Sequence, residues 1–321
     1  MSFRYKSMLL LAKAESTYGT DTTPVEATNA MLTANLSVKP YEGSRVTRVL
    51  DKVGLGNDPE INVGAFVQIE FDIEAAGSSD VVTAHEAGPL FDACAMEETI
   101  TAITGPIEYE PESLGSGFDS ASLYFNHDGE QQIIVGCRGT FSLRMNRGEL
   151  PYFHFTFTGI YAKPTAVAQY NPTISSFVAP QPVNQANTGT VDINSVGAIM
   201  SSFQFDQNND VIYRNLPGMA TAGVVEITDR DPRFTLVVEA PTLAVQDFYA
   251  LVESHTTITQ IAVQIAHGSA ATNRVTFDAA QAQLISIEPT EEDGIKMYSL
   301  SGVCPPTAAG NDDFKITVTG P

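Results

Sequence analysis

Three carboxylates at alternate positions, Glu70, Asp72 and Glu74, together with Gln68, are the residues whose spacing first suggests chemistry. They sit in VQIEFDIEAA (67–76), where Val67, Ile69, Phe71 and Ile73 occupy the other positions. Side chains of a strand point to opposite faces in turn, so this segment reads as a strand with one dry and one wet face. Carboxylates side by side could serve acid–base work or hold a cation. With 38 acidic residues in the chain such pairs are abundant and single out no catalytic role. The row is either ordinary solvated surface or the wall of something that must not attract anions.

Other reactive residues are scattered. The five histidines, His85, His127, His154, His255 and His267, show no metal-ligand spacing. TDRDPR (228–233) gathers carboxylates, but Arg230 and Arg233 oppose a cation, and an ion-paired turn is expected. No GxSxG, phosphate-binding glycine loop or dinucleotide fingerprint is present, so no enzyme activity, cofactor or metal is expected. Cys94, Cys137 and Cys304 are widely separated and odd in number, which suggests reduced, buried thiols and cytoplasmic folding.

The formal net charge of −21 makes the chain a poor reader of nucleic acid and a poor ligand for anionic membranes. The apolar run Met8–Ala12 is too short for a secretory signal and leads into Lys13 and Glu15. No segment has the length of a membrane span. The expectation is a soluble protein that does not bind membranes.

The elements that position the row are mainly β. Alternation recurs in MLTANLSVK (31–39), GTFSLRMN (139–146), YFHFTFTG (152–159), SSFQFDQ (201–207) and RFTLVVEA (233–240). Turns at His127-Asp128-Gly129, Asn146-Arg147-Gly148 and Glu292-Asp293-Gly294 separate such runs. Helical spacing is expected only over 84–98, starting near Gly88-Pro89, and over 242–254, with Thr242 as N-cap. The order of parts recurs. A strand ending Ile73-Glu74-Ala75 and one ending Val238-Glu239-Ala240 each precede a helix, and SLYFNHDG (122–129) parallels IAVQIAHG (261–268). This predicts a tandem duplication: an N-terminal arm (1–28), a first domain (29–164), a linker (165–192) and a second domain (193–321). Two unrelated β domains sharing an order is the alternative.

LLAKAESTYGTDTTPVEATNAMLTANLSVKPYEG (10–43), GLGNDPEINVGAFVQIEFDIEAAGS (54–78), GPLFDAC (88–94) and EDGIKMYSLSG (292–302) together resemble the tail tube (major tail) proteins of long, non-contractile-tailed bacteriophages. TITAITGPIEYEPESLGSG (99–117) departs from that pattern as an insertion. The resemblance implies a structural virion protein of the tail, made in the host cytoplasm. It implies a β-sandwich or half-barrel tube domain flanked by a helix, present twice in tandem if the duplication holds, whose copies close a ring around a continuous inner β-barrel. If each chain carries two such units, three chains complete a ring that looks six-fold. Implied partners are further copies of the chain, the terminator, distal tail and tape-measure proteins, and double-stranded DNA passing without specific binding. Gln68, Glu70, Asp72 and Glu74 become candidate bore-lining residues. The polar, weakly periodic segments Met1–Glu26 and Tyr41–Asn62 are expected to be arms that order on a neighbour, through Leu10, Tyr18, Val53 and Leu55. The alternative function is a two-domain adhesin, tail fibre or decoration protein that binds the host surface.

Overall fold

The computed structural model describes residues 4, 6–80, 84–101, 105–113, 118–174, 176–219, 223–253, 257–268 and 273–320. His255 and parts of the N-terminal arm, the 99–117 insertion and the second helical segment lie outside the described residues. In the first half the strands are β1 (Met8–Ala14), β2 (Ala30–Met31), β3 (Thr33–Thr47), β4 (Glu60–Glu74), β5 (Met96–Ile100), β6 (Ile107–Pro111), β7 (Ala121–His127), β8 (Glu130–Asn146), β9 (Tyr152–Ile160) and β10 (Thr165–Ala166), with helix α1 (Gly88–Asp92) after β4. The second half has β11 (Thr190–Ile193), β12 (Val196–Gly197), β13 (Met200–Asp206), β14 (Asn209–Arg214), β15 (Val224–Arg230), β16 (Arg233–Glu239), helix α2 (Phe248–Val252), β17 (Ile261–His267), β18 (Arg274–Glu292), β19 (Ile295–Val303) and β20 (Lys315–Thr319).

The main sheet is antiparallel throughout, in the order β3-β4-β9-β8-β13-β16-β19-β18. Its first four strands and its last four repeat one arrangement. The long strands β8 and β18 each run on into a second layer, where β7 and β17 pair with them and β1 and β11 pair with β7 and β17. Each long strand changes layer at an irregularity, between Val135 and Arg138 in β8 and between Leu284 and Ser286 in β18. In β8 that point holds Gly136 at φ +61, where a Cβ would lie 2.8 Å from the Tyr18 ring. The two halves are not separate globules, because β8 pairs directly with β13 and one hydrophobic core runs beneath both.

Alternation explains the layering. Val67, Ile69, Phe71 and Ile73 of β4, Phe153, Phe155 and Phe157 of β9, and Phe203 and Phe205 of β13 are all buried on the inner face. Helix α1 drops Phe91 into this layer, edge-on to Phe141, Phe153 and Phe155 at 5.1, 5.2 and 5.3 Å between ring centroids. Both helices are shorter than their sequence periodicity predicts. Pro89 lies in the first turn of α1, but Ala95 takes φ +59 and the chain enters β5 at once. In the second segment Asp247, not Thr242, is the N-cap, accepting from the Tyr249 and Ala250 amides at 3.1 and 3.2 Å. Residues 242–246 form only a turn on the Thr242 carbonyl.

The N-terminal arm also differs from expectation. Leu10 and Leu11 of β1 are fully buried, and β1 is paired with both β2 and β7. Glu15 then ties the following segment down, accepting from Ser120 and Ser122 hydroxyls at 2.6 and 2.9 Å and from the Gly136 and Gly19 amides at 2.8 and 2.7 Å. Removing residues 1–20 would therefore strip a core strand rather than a free arm. The predicted linker contributes β10, which pairs with β8, and most of β11.

Phe91→Ala is expected to lower stability by about 3–5 kcal/mol, because a cavity replaces a ring buried among four others, Tyr109, Phe141, Phe153 and Phe155; urea unfolding measures it. Asp92, at the end of α1, titrates up near pH 7, raised first by burial and then by Glu98 and Asp119. The native state thus holds a proton that the unfolded chain releases near its ordinary value of 3.8, so stability is expected to fall as pH rises from about 4 to 7. Asp92→Asn should raise the urea midpoint at pH 8 and leave it nearly unchanged at pH 4.5.

Candidate functional site

Gln68, Glu70, Asp72 and Glu74 lie on the outer, wet face of the main sheet, opposite the buried side chains of β4. Register extends the row across neighbouring strands, since residues directly opposite share a face. Asp72, His154, Ser142, Asp206 and Arg233 form one line over five strands. Glu74, Tyr152, Arg144, Gln204, Thr235 and Ser301 form the next. Glu70 stands beside Thr156, which stands beside Thr140.

The face is therefore polar and mixed in charge rather than uniformly acidic. Asp72 accepts from Asn35 Nδ2 at 2.6 Å and lies 2.6 Å from His154 Nδ1. Lys39 Nζ lies 3.5 Å from Glu70, and Arg233 is held at 2.7 Å by Asp231. Sequence reasoning missed these cations because alternation along one strand carries no information about its neighbours. The TDRDPR segment is an ion-paired turn, with Arg230 bonded to Asp313 at 2.6 Å as well as Arg233 to Asp231. The described residues contain no His, Cys or carboxylate group arranged to hold a metal ion.

The four candidate arm residues part company. Leu10 is in the core. Tyr18 is half-buried, with its hydroxyl accepting from the Val225 amide at 2.6 Å and the Arg138 guanidinium 4.7 Å over its ring. Burial pushes its hydroxyl up to about 12. Val53 and Leu55 are fully exposed at the tip of a long hairpin. The segment from Tyr41 to Asn62 is thus strand for much of its length, its alternation disrupted by bulges around Glu42. Val46, Val49, Leu50, Ile61 and Val63 are also exposed on this hairpin. The hairpin thus carries a concentration of apolar side chains that face solvent.

The corresponding hairpin of the second half, β14–β15, is instead anchored within the chain. Arg138, only 6% exposed, donates to the Val225 carbonyl at 2.9 Å and the Asp119 carbonyl at 3.3 Å, bonds the Phe118 carbonyl, and pairs with Glu226 at 3.1 Å. Arg138→Ala is expected to cost about 3 kcal/mol, because it leaves buried acceptors without a donor. Faster proteolysis within 209–230 should accompany the loss, measured by mass spectrometry of limited digests.

Both long edges of the main sheet are open. Among the described residues β3 pairs with β4 alone, and the Ser286–Glu292 stretch of β18 pairs with β19 alone. No curated protein matches the chain. A family model described as phage tail tube protein matches residues 6–319.

Proposed function

The chain belongs to the phage tail tube protein family, and from that premise we propose that three copies close into a ring and that rings stack into the tube through which the double-stranded genome is delivered. As a tail tube protein it is a structural component of the virion and assembles with other tail proteins. In this reading terminator, distal tail and tape-measure proteins meet the ends and interior of the tube.

The observation that carries the reading is the main sheet itself, sealed by the core on one face, polar on the other and open at both edges. Long unpaired edges invite pairing with another chain, and isolated proteins usually blunt them. A ring disposes of both edges at once. The repeated strand order of the two halves supports counting each chain as two ring positions, so that three chains supply six. The outer face then becomes the bore. Its carboxylates repel phosphates, its hydroxyls and amides carry no charge, and Lys39 and Arg233 are already engaged by Glu70 and Asp231, which leaves Arg144 as an exposed cation without an ion pair among the described residues. DNA would meet few free cations, so little counterion release would hold it. The exposed tip around Val53 and Leu55 reaches the next ring.

Concentrated protein is expected to form tubes of three-fold symmetry by electron microscopy; six chains per ring, each with one four-stranded unit at the bore, would overturn the duplication. Glu70→Lys, Asp72→Lys and Glu74→Lys together should leave tubes intact while slowing genome ejection, an effect that weakens as salt rises. Normal ejection from normal-length tails would place the row elsewhere. Replacing residues 48–58 with a short glycine turn should leave thermal unfolding unchanged and abolish tubes.

A further inference from the structure

The β8–β13 pairing inside the chain has no counterpart at the other end of the sheet. Along Ser142–Arg144, β8 has β9 on one side and β13 on the other. The strand that repeats β8 is β18, whose Ser286–Glu292 stretch has β19 on one side and, among the described residues, no strand on the other. The strand that repeats β13 is β3, and among the described residues no strand pairs with its outer edge.

Two independent alignments relate these strands residue by residue. Phe155 of β9 faces Phe71 and Phe141, while Leu300 of β19 faces Leu236 and Ile287, which sets Phe141 equivalent to Ile287. The turns after Asn146 and Glu292 give the same offset. On the other side, Val38 faces Ile69 and Phe205 faces Phe234, and these partners precede Glu74 and Glu239 by the same interval. Ser142 is thus equivalent to Glu288, and Asp206 to Lys39.

Resting on the ring reading above, we propose that β18 of one chain pairs antiparallel with β3 of a second copy in the register that β8 and β13 use. The internal pair Ser142–Asp206 becomes Glu288 opposite Lys39, and Arg144–Gln204 becomes Thr290 opposite Ser37. The transferred register meets an opposite charge on the same wet face, a coincidence that the alignment did not require. Glu288 is exposed and has no ion pair among the described residues, and Lys39 holds Glu70 only at 3.5 Å. Pro289 supplies no amide donor to either neighbour, so the backbone ladder is weakened there and the charge pair helps to fix the register. The same operation lays the stem of the β3–β4 hairpin over the neighbour, as β14–β15 lies over β8 and β9, and would cover Val46, Ile61 and Val63.

Directly opposed residues of antiparallel strands have Cα atoms about 4.5–5.5 Å apart, within the span of a disulfide. Cys94, Cys137 and Cys304 are buried, and burial pushes their thiols up, so they stay silent under mild oxidation. Lys39→Cys with Glu288→Cys in one chain, oxidised after assembly, is expected to give a ladder on a non-reducing gel that ends at trimer. Each single variant should stay at monomer. Lys39→Cys with Glu292→Cys, displaced by roughly 13 Å along the strand, should also stay at monomer. Bonding of that displaced pair instead would overturn the register. Tubes that form with neither pair bonded would overturn the seam and leave the tube reading standing. A ladder ending at hexamer would keep the seam and overturn the three-chain ring, whereas wild-type protein that never assembles overturns both.

Discussion

The pairing of β8 with β13 is the interaction on which the rest of the molecule depends. Without it the chain would be two small sheets with four edges. With it there is one wide sheet, and the aromatic layer beneath becomes continuous: Phe141 and Phe205 lie 6.0 Å apart, and Phe314 packs on Phe205 at 4.5 Å. Several polar side chains at the junction are bonded across it, although Ser142 Oγ and Asn209 Oδ1 are buried there without a partner. The Gln207 amide nitrogen donates to the Cys94 carbonyl at 2.8 Å, and Asn209 donates to the Cys94 and Gly139 carbonyls at 2.8 and 2.9 Å. These bonds tie the exit of β13 to the end of α1 and to β8, so a slip in the junction would orphan several buried groups at once.

That junction also settles which sheet face stays wet. A two-residue period leaves no freedom: once Phe203 and Phe205 enter the core, Ser202, Gln204 and Asp206 must face outward, in line with the β4 row. The outward face cannot be made apolar without inviting non-specific association, nor strongly basic without binding phosphate. Carboxylates, hydroxyls and a few cations, of which Lys39 and Arg233 are engaged and Arg144 is exposed, are what the register assembles.

Much of this was legible in the sequence. The alternation of β4, β8 and β9, the paired turns and the order of strand, helix and strand are local features, and they carry the β class. What escaped depends on long-range context. The MLLLAKA run of β1 lacks alternation because both of its faces are covered, so it resembles a leader rather than a strand. The hairpin at 41–62 is disguised by bulges. The helical segments keep their period past the point where the left-handed Ala95 and the capping Asp247 set the real limits. The mixture of charges on the outer face depends on Lys39, Arg144 and Arg233, each on a different strand, which only register brings together.

Covalent fusion of two units changes what each junction must do. Association of separate subunits costs an estimated 4–15 kcal/mol in lost translational and rotational freedom, roughly speaking. A tether removes that cost from every second junction of the proposed ring and supplies its partner at high effective concentration. The fused junction can therefore include groups that are expensive to bury alone, such as Arg138 with Glu226 or the Asn209 amide, because they never wait in water for a partner. An open seam faces the opposite demand. Its edges must stay soluble until assembly, which favours exposed charges, a proline and bulges over a ready aromatic ladder. Glu288, Pro289 and Thr290 stand where the fused junction has Ser142, Leu143 and Arg144, and Asn35 interrupts β3 with φ +52. In the proposed ring, the divergence between the halves follows from which edge is joined during folding and which is kept for a second chain.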